Sequence, residues 1–321
     1  MLKKFLIIQT AFIGDVILAT AIIEKLAQFY PESKIDFLLR KGNEKLLENH
    51  PIIDEVLIWD KKNKKYDNLK QVTKQIHAAK YDVVINLHRF ASSGLITSLS
   101  GAKEKIGFKK NPLSLAFTKK FPHHIGDGTH ETERNQQLIA EITDSLPAMP
   151  KLYPSNKDYE EVEKYKIKDY ICIAPTSVWF TKQLPKEQWI KLIHKTNDQL
   201  NIYLLGGPDD IEQCEEIKQS AKNRTVVNLC DKLSFLESAA LMQTAKMNHV
   251  NDSAPLHIAS AMNAPVTAYF CSTVPAFGFG PLGKNARIVE VKEKLSCRPC
   301  GLHGKKECPE GHFNCGFKIE V

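Results

Sequence analysis

Strand-length apolar runs and helix-length amphipathic runs alternate along the whole chain. This alternation predicts an α/β protein whose mostly parallel sheets are covered on both faces. Two further observations make it two such domains. At 321 residues the chain exceeds what one ordinary hydrophobic core organises. A polar, Pro-containing stretch at 147–157 interrupts the pattern, after which strands and helices start again. The expected architecture is a pair of doubly wound, Rossmann-like domains facing one another across a cleft. They span 1–150 and 151–295 and are followed by a cysteine-rich tail at 296–321.

In the first half, residues 5–8 read as a short apolar strand, and 16–29 carry helical spacing at Ile22, Ile23 and Leu26. Pro31 stops that helix. Strands follow at 35–39, 55–59 and 82–86, with a helix over 66–79 before the last of them. In the second half, strand 170–174 leads to helix 186–199, and strand 201–205 ends in Gly206-Gly207-Pro208. Helix 209–220, strand 225–228, helix 235–244 and strand 248–250 come next, then a short helix at 255–262 and strand 265–270. Such sheets bind ligands beyond the carboxyl ends of their strands, so chemistry is sought in the segments that follow strands.

Composition narrows the classes. Hydrophobic residues make up 43% and charged residues 25%, the balance of a globular chain and not a disordered one. Of a net charge of +7, residues 1–150 carry the larger part, with 22 Lys+Arg against 17 Asp+Glu. A mildly basic first half suits a phosphate-bearing partner or an anionic membrane surface, and equally a well-solvated surface. No aromatic–basic repeat or recognised binding motif points to nucleic acid as a partner. Met1-Leu2-Lys3-Lys4 and the apolar run behind it resemble a secretory leader. Gln9 and Thr10 break that run and Asp15 lies inside it, so the segment is read as the first strand and helix of the fold. No run of ~18 apolar residues marks a membrane span.

Four segments after strands carry polar chemistry. In Gln9-Thr10-Ala11-Phe12-Ile13-Gly14-Asp15, Gly14 permits a tight turn and Asp15 falls at a helix start. An acid there is either a cap and dipole partner or a general base facing the cleft, and spacing alone favours the cap. One Gly without G-x-G is no dinucleotide fingerprint. In the segment 248–257, Pro255 fits a first helical position with Ser253 as its cap, and the free N–H groups there suit a diphosphate. Asp252 repels phosphate and fits sugar or ribose hydroxyls better. His257 lies one turn along the same face; an isolated His of this kind is most often a hydrogen-bonded core residue. Thr176 and Ser177 can donate to phosphate and Lys182 adds a mobile positive charge. Gly206-Gly207-Pro208-Asp209-Asp210 reads as an ordinary glycine turn with dipole-matched acids.

Together these segments resemble the lipopolysaccharide heptosyltransferases of glycosyltransferase family nine. The resemblance covers nearly the whole chain. It runs through Phe12-Ile13-Gly14-Asp15-Val16-Ile17-Leu18-Ala19-Thr20, Asn86-Leu87-His88-Arg89, Gly101-Ala102-Lys103 and Ile106-Gly107-Phe108. It continues through Lys182-Gln183-Leu184-Pro185 and Asn251-Asp252-Ser253-Ala254-Pro255-Leu256-His257. It implies a GT-B fold, with acceptor held by the first domain and nucleotide diphosphate sugar by the second. It implies inverting transfer without a metal or other required cofactor, from an ADP-heptose-like donor to a lipopolysaccharide-core or similar anionic glycolipid acceptor. The resemblance makes Asp15 the catalytic base. Donor contacts fall to Thr176, Ser177, Lys182, Asp252, Ser253, Ala254 and His257, with Asp209 near the nucleoside. Acceptor contacts fall to Gly14, His88, Arg89, Lys109 and Lys110. A cytoplasmic enzyme working at the inner membrane face is the implied setting. The chain departs from the family where Ala254 replaces a frequent Gly and where Ala11-Phe12 precede the Gly-Asp pair. A nucleotide-sugar epimerase of the same architecture is the alternative, separable because it needs no acceptor.

Eight cysteines form two groups. Cys172, Cys214, Cys230 and Cys271 sit among apolar neighbours and read as buried thiols. Cys297-x-x-Cys300, Cys308 and Cys315 crowd the tail, where the spacing admits structural thiols or disulfides first and a four-ligand zinc site second. Related chains often end in a similar tail, which favours the structural role.

Overall fold

A computed structural model describes residues 2–222 and 225–321; Met1, Asn223 and Arg224 lie outside the described residues. The chain divides into two compact units, one formed by Met1–Ile125 and Thr129–Tyr153, the other by Gly126–Gly128 and Pro154–Val321. The change of unit after Tyr153 falls inside the Pro-containing stretch, whereas the short excursion at Gly126–Gly128 has no signal in the sequence.

The first unit holds β1 (Lys4–Ile8), β2 (Lys34–Arg40), β3 (Ile53–Trp59), β4 (Val83–Asn86), β5 (Glu104–Phe108) and β6 (Lys119–Phe121). All pair in parallel, in the order β3-β2-β1-β4-β5-β6. Strand order therefore reverses between β1 and β4, and the crevice beyond their carboxyl ends is where such a sheet takes ligands. β1 and β4 are short and apolar because helices cover both faces: Phe5, Leu6, Ile7, Ile8, Val84 and Ile85 are fully buried. Helix α1 (Ile13–Phe29) buries every residue from Val16 to Leu26 and ends as Tyr30 N–H bonds back to Leu26 C=O, just before Pro31. The other helices of this unit are α2 (Lys65–Ala78), α3 (Ala91–Leu99) and α4 (Glu131–Gln136).

The second unit repeats the design. Its strands are β7 (Tyr170–Ala174), β8 (Asn201–Leu204), β9 (Val226–Asn228), β10 (Asn248–Asn251), β11 (Val266–Phe270) and β12 (Ala286–Glu290), in the order β12-β11-β10-β7-β8-β9. The reversal lies between β7 and β10, which pair in parallel. Helices α5 (Asn156–Glu163), α6 (Lys186–Lys195), α7 (Ile211–Ser220), α8 (Phe235–Thr244) and α9 (Ala254–Ala261) complete the wrap, with a short α10 (Asn314–Phe317) near the end. The final segment is part of the core. Phe313, Cys315 and Ile319 pack in one apolar cluster with Ile173, Trp189 and Cys271. All eight cysteines are free thiols, and the four outside the tail are buried as expected. Among the described residues no group of three or more His, Cys, Asp or Glu side chains is placed to hold a metal ion, and Cys297, Cys300, Cys308 and Cys315 stand as free thiols, the last of them buried. Among the described residues no helix is long and apolar enough to cross a membrane.

Candidate active site

In the first unit the loop after β1 leads straight into α1. Gly14 is the second residue of that helix and is not among the residues of positive φ, so it does not make the tight turn expected of it. Asp15 accepts a hydrogen bond from the Phe12 N–H (3.2 Å), the cap that its position predicts. Its pKa is nevertheless raised, to about 6, chiefly by burial and then by the negative charge of Glu131, while the Phe12 N–H and Arg89 pull the other way. A carboxyl in that range is ionised at neutral pH and still basic enough to take up a proton.

Glu131 comes from the start of α4. It is buried, its Oε2 lies 2.8 Å from the Arg134 Nε and 3.8 Å from the His123 Nε2, and although burial opposes its ionisation, His123 and Arg134 hold its pKa below the usual value. On the other side of the crevice, the loop after β4 carries His88 and Arg89. His88 is buried, shares a 3.1 Å hydrogen bond with the Thr10 hydroxyl, and has its pKa lowered to about 3 by burial and then by Lys61 and Arg89. His88 is therefore neutral. Lys61 donates to the Thr10 carbonyl (2.6 Å) and hydroxyl (3.1 Å), and burial lowers its pKa to about 8. Arg40, at the end of β2, stacks over the Phe12 ring at 4.8 Å and senses the Asp15 charge. Neither Lys61 nor Arg40 is marked by a local motif.

Lys109 and Lys110 are exposed and follow β5. The next residue, Asn111, is buried and donates to the carbonyls of His88 and Phe90 (3.1 Å each), so it ties the Lys109-Lys110 turn to the His88-Arg89 loop. Gly94 makes room for it, since a Cβ there would stand 2.1 Å from the Asn111 Oδ1.

In the second unit the reversal between β7 and β10 gathers three loops. Asn251, fully buried at the end of β10, donates to the Pro175 carbonyl (2.8 Å) and accepts from the Leu184 N–H (2.8 Å). One amide thus fixes the Thr176-Ser177 loop and the Lys182 loop together. Lys182 ends a 3-10 turn and its Nζ lies 2.7 Å from the Asp252 Oδ2, which also accepts from the Thr273 hydroxyl (2.6 Å). Asp252, expected to address sugar hydroxyls, is therefore the carboxylate that holds Lys182. Ser253 stands at the N-cap of α9 in extended conformation, yet its hydroxyl makes no cap bond and lies 3.5 Å from the Asn251 carbonyl. Helix α9 begins at Ala254, with Pro255 second, so Pro255 contributes no N–H to an anion site and the donors come from the residues around it. His257 is buried with its ring against Phe279, as a core histidine. Thr176 is buried and Ser177 partly so. Asp209 is exposed in the turn after β8, where Gly206 is required because a Cβ would stand 2.7 Å from the Asp210 Cβ.

Two like parallel sheets, each with polar loops converging on its strand-order reversal, make an architecture of the GT-B kind, and solved structures similar to this chain share that fold. A glycosyltransferase family 9 protein from Veillonella parvula superposes with TM-score 0.78 at 21% identity, covering 89% of this chain and 85% of that one. The ADP-heptose lipopolysaccharide heptosyltransferase II of Escherichia coli gives TM-score 0.78 at 18% identity, covering 92% and 95%. Residues 69–312 match the description of glycosyltransferase family 9 (heptosyltransferase). Lipopolysaccharide heptosyltransferase 3 of Escherichia coli K12 is 31% identical over 282 residues, 82% of this chain and 81% of that protein. The chain belongs to glycosyltransferase family 9, the heptosyltransferase family, and is a glycosyltransferase, which decides against the epimerase alternative.

Proposed function

We propose that the protein is an inverting, metal-independent heptosyltransferase that moves heptose from an ADP-heptose-like donor to an anionic sugar of a lipopolysaccharide core at the cytoplasmic membrane face. The observation that carries the mechanism is Asp15, a carboxylate at the β1–β4 reversal with its pKa raised to about 6. It takes the proton of an acceptor hydroxyl as that oxygen bonds to the anomeric carbon and the bond to the donor phosphate breaks. The electron pair leaves on the nucleoside diphosphate. Attack opposite the leaving group inverts the anomeric centre.

Lys182, held by Asp252, which Thr273 holds in turn, stabilises the charge that develops on the diphosphate. Thr176, Ser177, Ser253 and Ala254 line the same loops and supply donors to it, with His257 behind them and Asp209 towards the nucleoside. On the acceptor side Arg89, Lys109 and Lys110 receive phosphates or carboxylates, joined by Arg40 and Lys61, while Gly14 and neutral His88 shape the approach to Asp15. The donor choice is supported by relatives whose names specify ADP-heptose. The test is to incubate the protein with ADP-heptose and a heptose-acceptor core glycolipid, following products by mass spectrometry and the anomeric proton by NMR. The expected result is one added heptose, one ADP released and an inverted anomeric configuration. Retention of configuration, or ADP release at the same rate without acceptor, overturns the proposal.

A further inference from the structure

The tail segment 298–305 is stitched to the donor loops at points that the proposed mechanism does not use. Thr181, the residue before Lys182, is 1% exposed and sits at the joint. Its N–H donates to the Lys305 carbonyl (3.1 Å), its carbonyl accepts from the Ser272 N–H (3.2 Å), and its hydroxyl accepts from the Lys305 N–H (2.8 Å) and meets the Ser272 hydroxyl at 3.0 Å. Gly304 is buried against the same loop: a Cβ there would stand 2.5 Å from the Trp179 Cβ and 2.9 Å from the Lys182 Cγ. The segment also grips the exit of β11. Arg298 donates to the carbonyls of Cys271 (2.6 Å) and Thr273 (2.7 Å), and the Cys300 N–H to that of Ser272 (3.0 Å). Thr273 in turn holds Asp252, the partner of Lys182.

We propose that the C-terminal segment 298–305 positions Lys182, with Thr181 as the joint through which it acts. The lysine is restrained along its stem by Gly304, at its backbone by Thr181 and by a bond from its own N–H to the Trp179 carbonyl (3.0 Å), and at its ammonium by Asp252 on a strand exit that the same segment braces. A long, flexible side chain held this way loses less freedom when it meets a diphosphate, so its orientation adds to affinity. Thr181 is a positioning residue, since it touches no substrate. The inference rests on the reading that Lys182 contacts the donor diphosphate.

Thr181→Val keeps the shape and both backbone bonds and removes only the hydroxyl. Calorimetric titration with ADP should show affinity about five- to tenfold weaker than wild type, restored by Thr181→Ser, and unchanged by the Val substitution when Lys182→Met is already present. Gly304→Ala, which presses on the lysine stem, should weaken ADP in the same way and serves if Thr181→Val folds poorly. Without ligand, acylation of the Lys182 amine relative to the other lysines, read by mass spectrometry, should rise several-fold in both variants. The proposal is overturned if both variants bind ADP and acylate as wild type does, or if they weaken ADP equally with and without Lys182→Met. If Lys182→Met alone leaves ADP affinity unchanged, the donor-site reading falls and takes the proposal with it; the acylation rates then still report whether the tail restrains the lysine.

Discussion

Replacing Glu131 by Gln should move the acidic limb of the pH–rate profile to lower pH. Asp15 acts only when ionised, and its pKa stands at about 6 against a usual 3.8 because of burial first and the Glu131 charge second. With a pKa of about 6, roughly one tenth of the carboxyl is ionised at pH 5. Removing the like charge while leaving the burial should lower the pKa by about half a unit to one unit. The ionised fraction at pH 5 then rises about two- to fivefold, and kcat at that pH with it, while kcat at pH 8 changes little. Gln keeps an oxygen for the Arg134 Nε, now 2.8 Å from the Glu131 Oε2, but the buried guanidinium loses its counter-charge. Stability should therefore fall by about 3 kcal/mol, and rates should be measured well below the melting temperature. The assay is initial rate of ADP release with saturating acceptor between pH 4.5 and 8. An unmoved limb, or one displaced to higher pH, refutes the electrostatic account of Asp15. The other charges facing Asp15 are those of Arg89 and Arg40, and neither is altered by this substitution.

Arg89 acts on Asp15 in the opposite sense, so Arg89→Met should move the same limb to higher pH and also raise the KM for an anionic acceptor; steady-state kinetics at several pH values checks both. Asp15→Asn should stabilise the fold at neutral pH. Its folded pKa lies above its unfolded one, so the wild-type protein loses stability as pH rises from about 4 to about 6, and the variant escapes that loss. The gain should be about 2 kcal/mol at pH 7, reduced by partial exposure and by a weaker cap, and absent at pH 4, as thermal melts at the two values will show. Asn251→Ala removes a bond to the Pro175 carbonyl and one from the Leu184 N–H. It should cost about 2–4 kcal/mol in denaturant unfolding and weaken ADP more than acceptor. Gly94→Ala drives a methyl into Asn111 and should cost about 1–3 kcal/mol, with acceptor KM raised and ADP affinity kept.

The central strands were legible because burial on both faces leaves an uninterrupted apolar signature, as in β1, β4, β7 and β11. The strands absent from the sequence reading lie towards the sheet edges. β5 and β6 are rich in lysine, and β12 is half exposed, so their pattern resembles a solvated loop. The helical spacing extends α6 to 199, but the helix ends at Lys195, where Thr196 turns to extended backbone. Among site residues, Asp15 and Lys182 follow strands within recognisable local segments. Lys61 and Arg40 carry no such mark: each reaches the β1 loop from another part of the chain, so only the folded sheet makes them neighbours. Asp252 is recognisable as a polar residue after a strand, but its pairing with Lys182 is not, because the two lie far apart in the sequence and only the folded loops bring them together. The tail cysteines drew attention by their spacing, yet it is Gly304 and the neighbouring backbone that touch the lysine loop.

The measurement closest to the central claim is the turnover of Asp15→Asn with ADP-heptose and a core glycolipid acceptor, beside its affinity for ADP. A general base at this position predicts kcat lower by about 10²–10⁴, with ADP affinity within about twofold of wild type. A variant that turns over within a few-fold of wild type contradicts the assignment of Asp15 as the base.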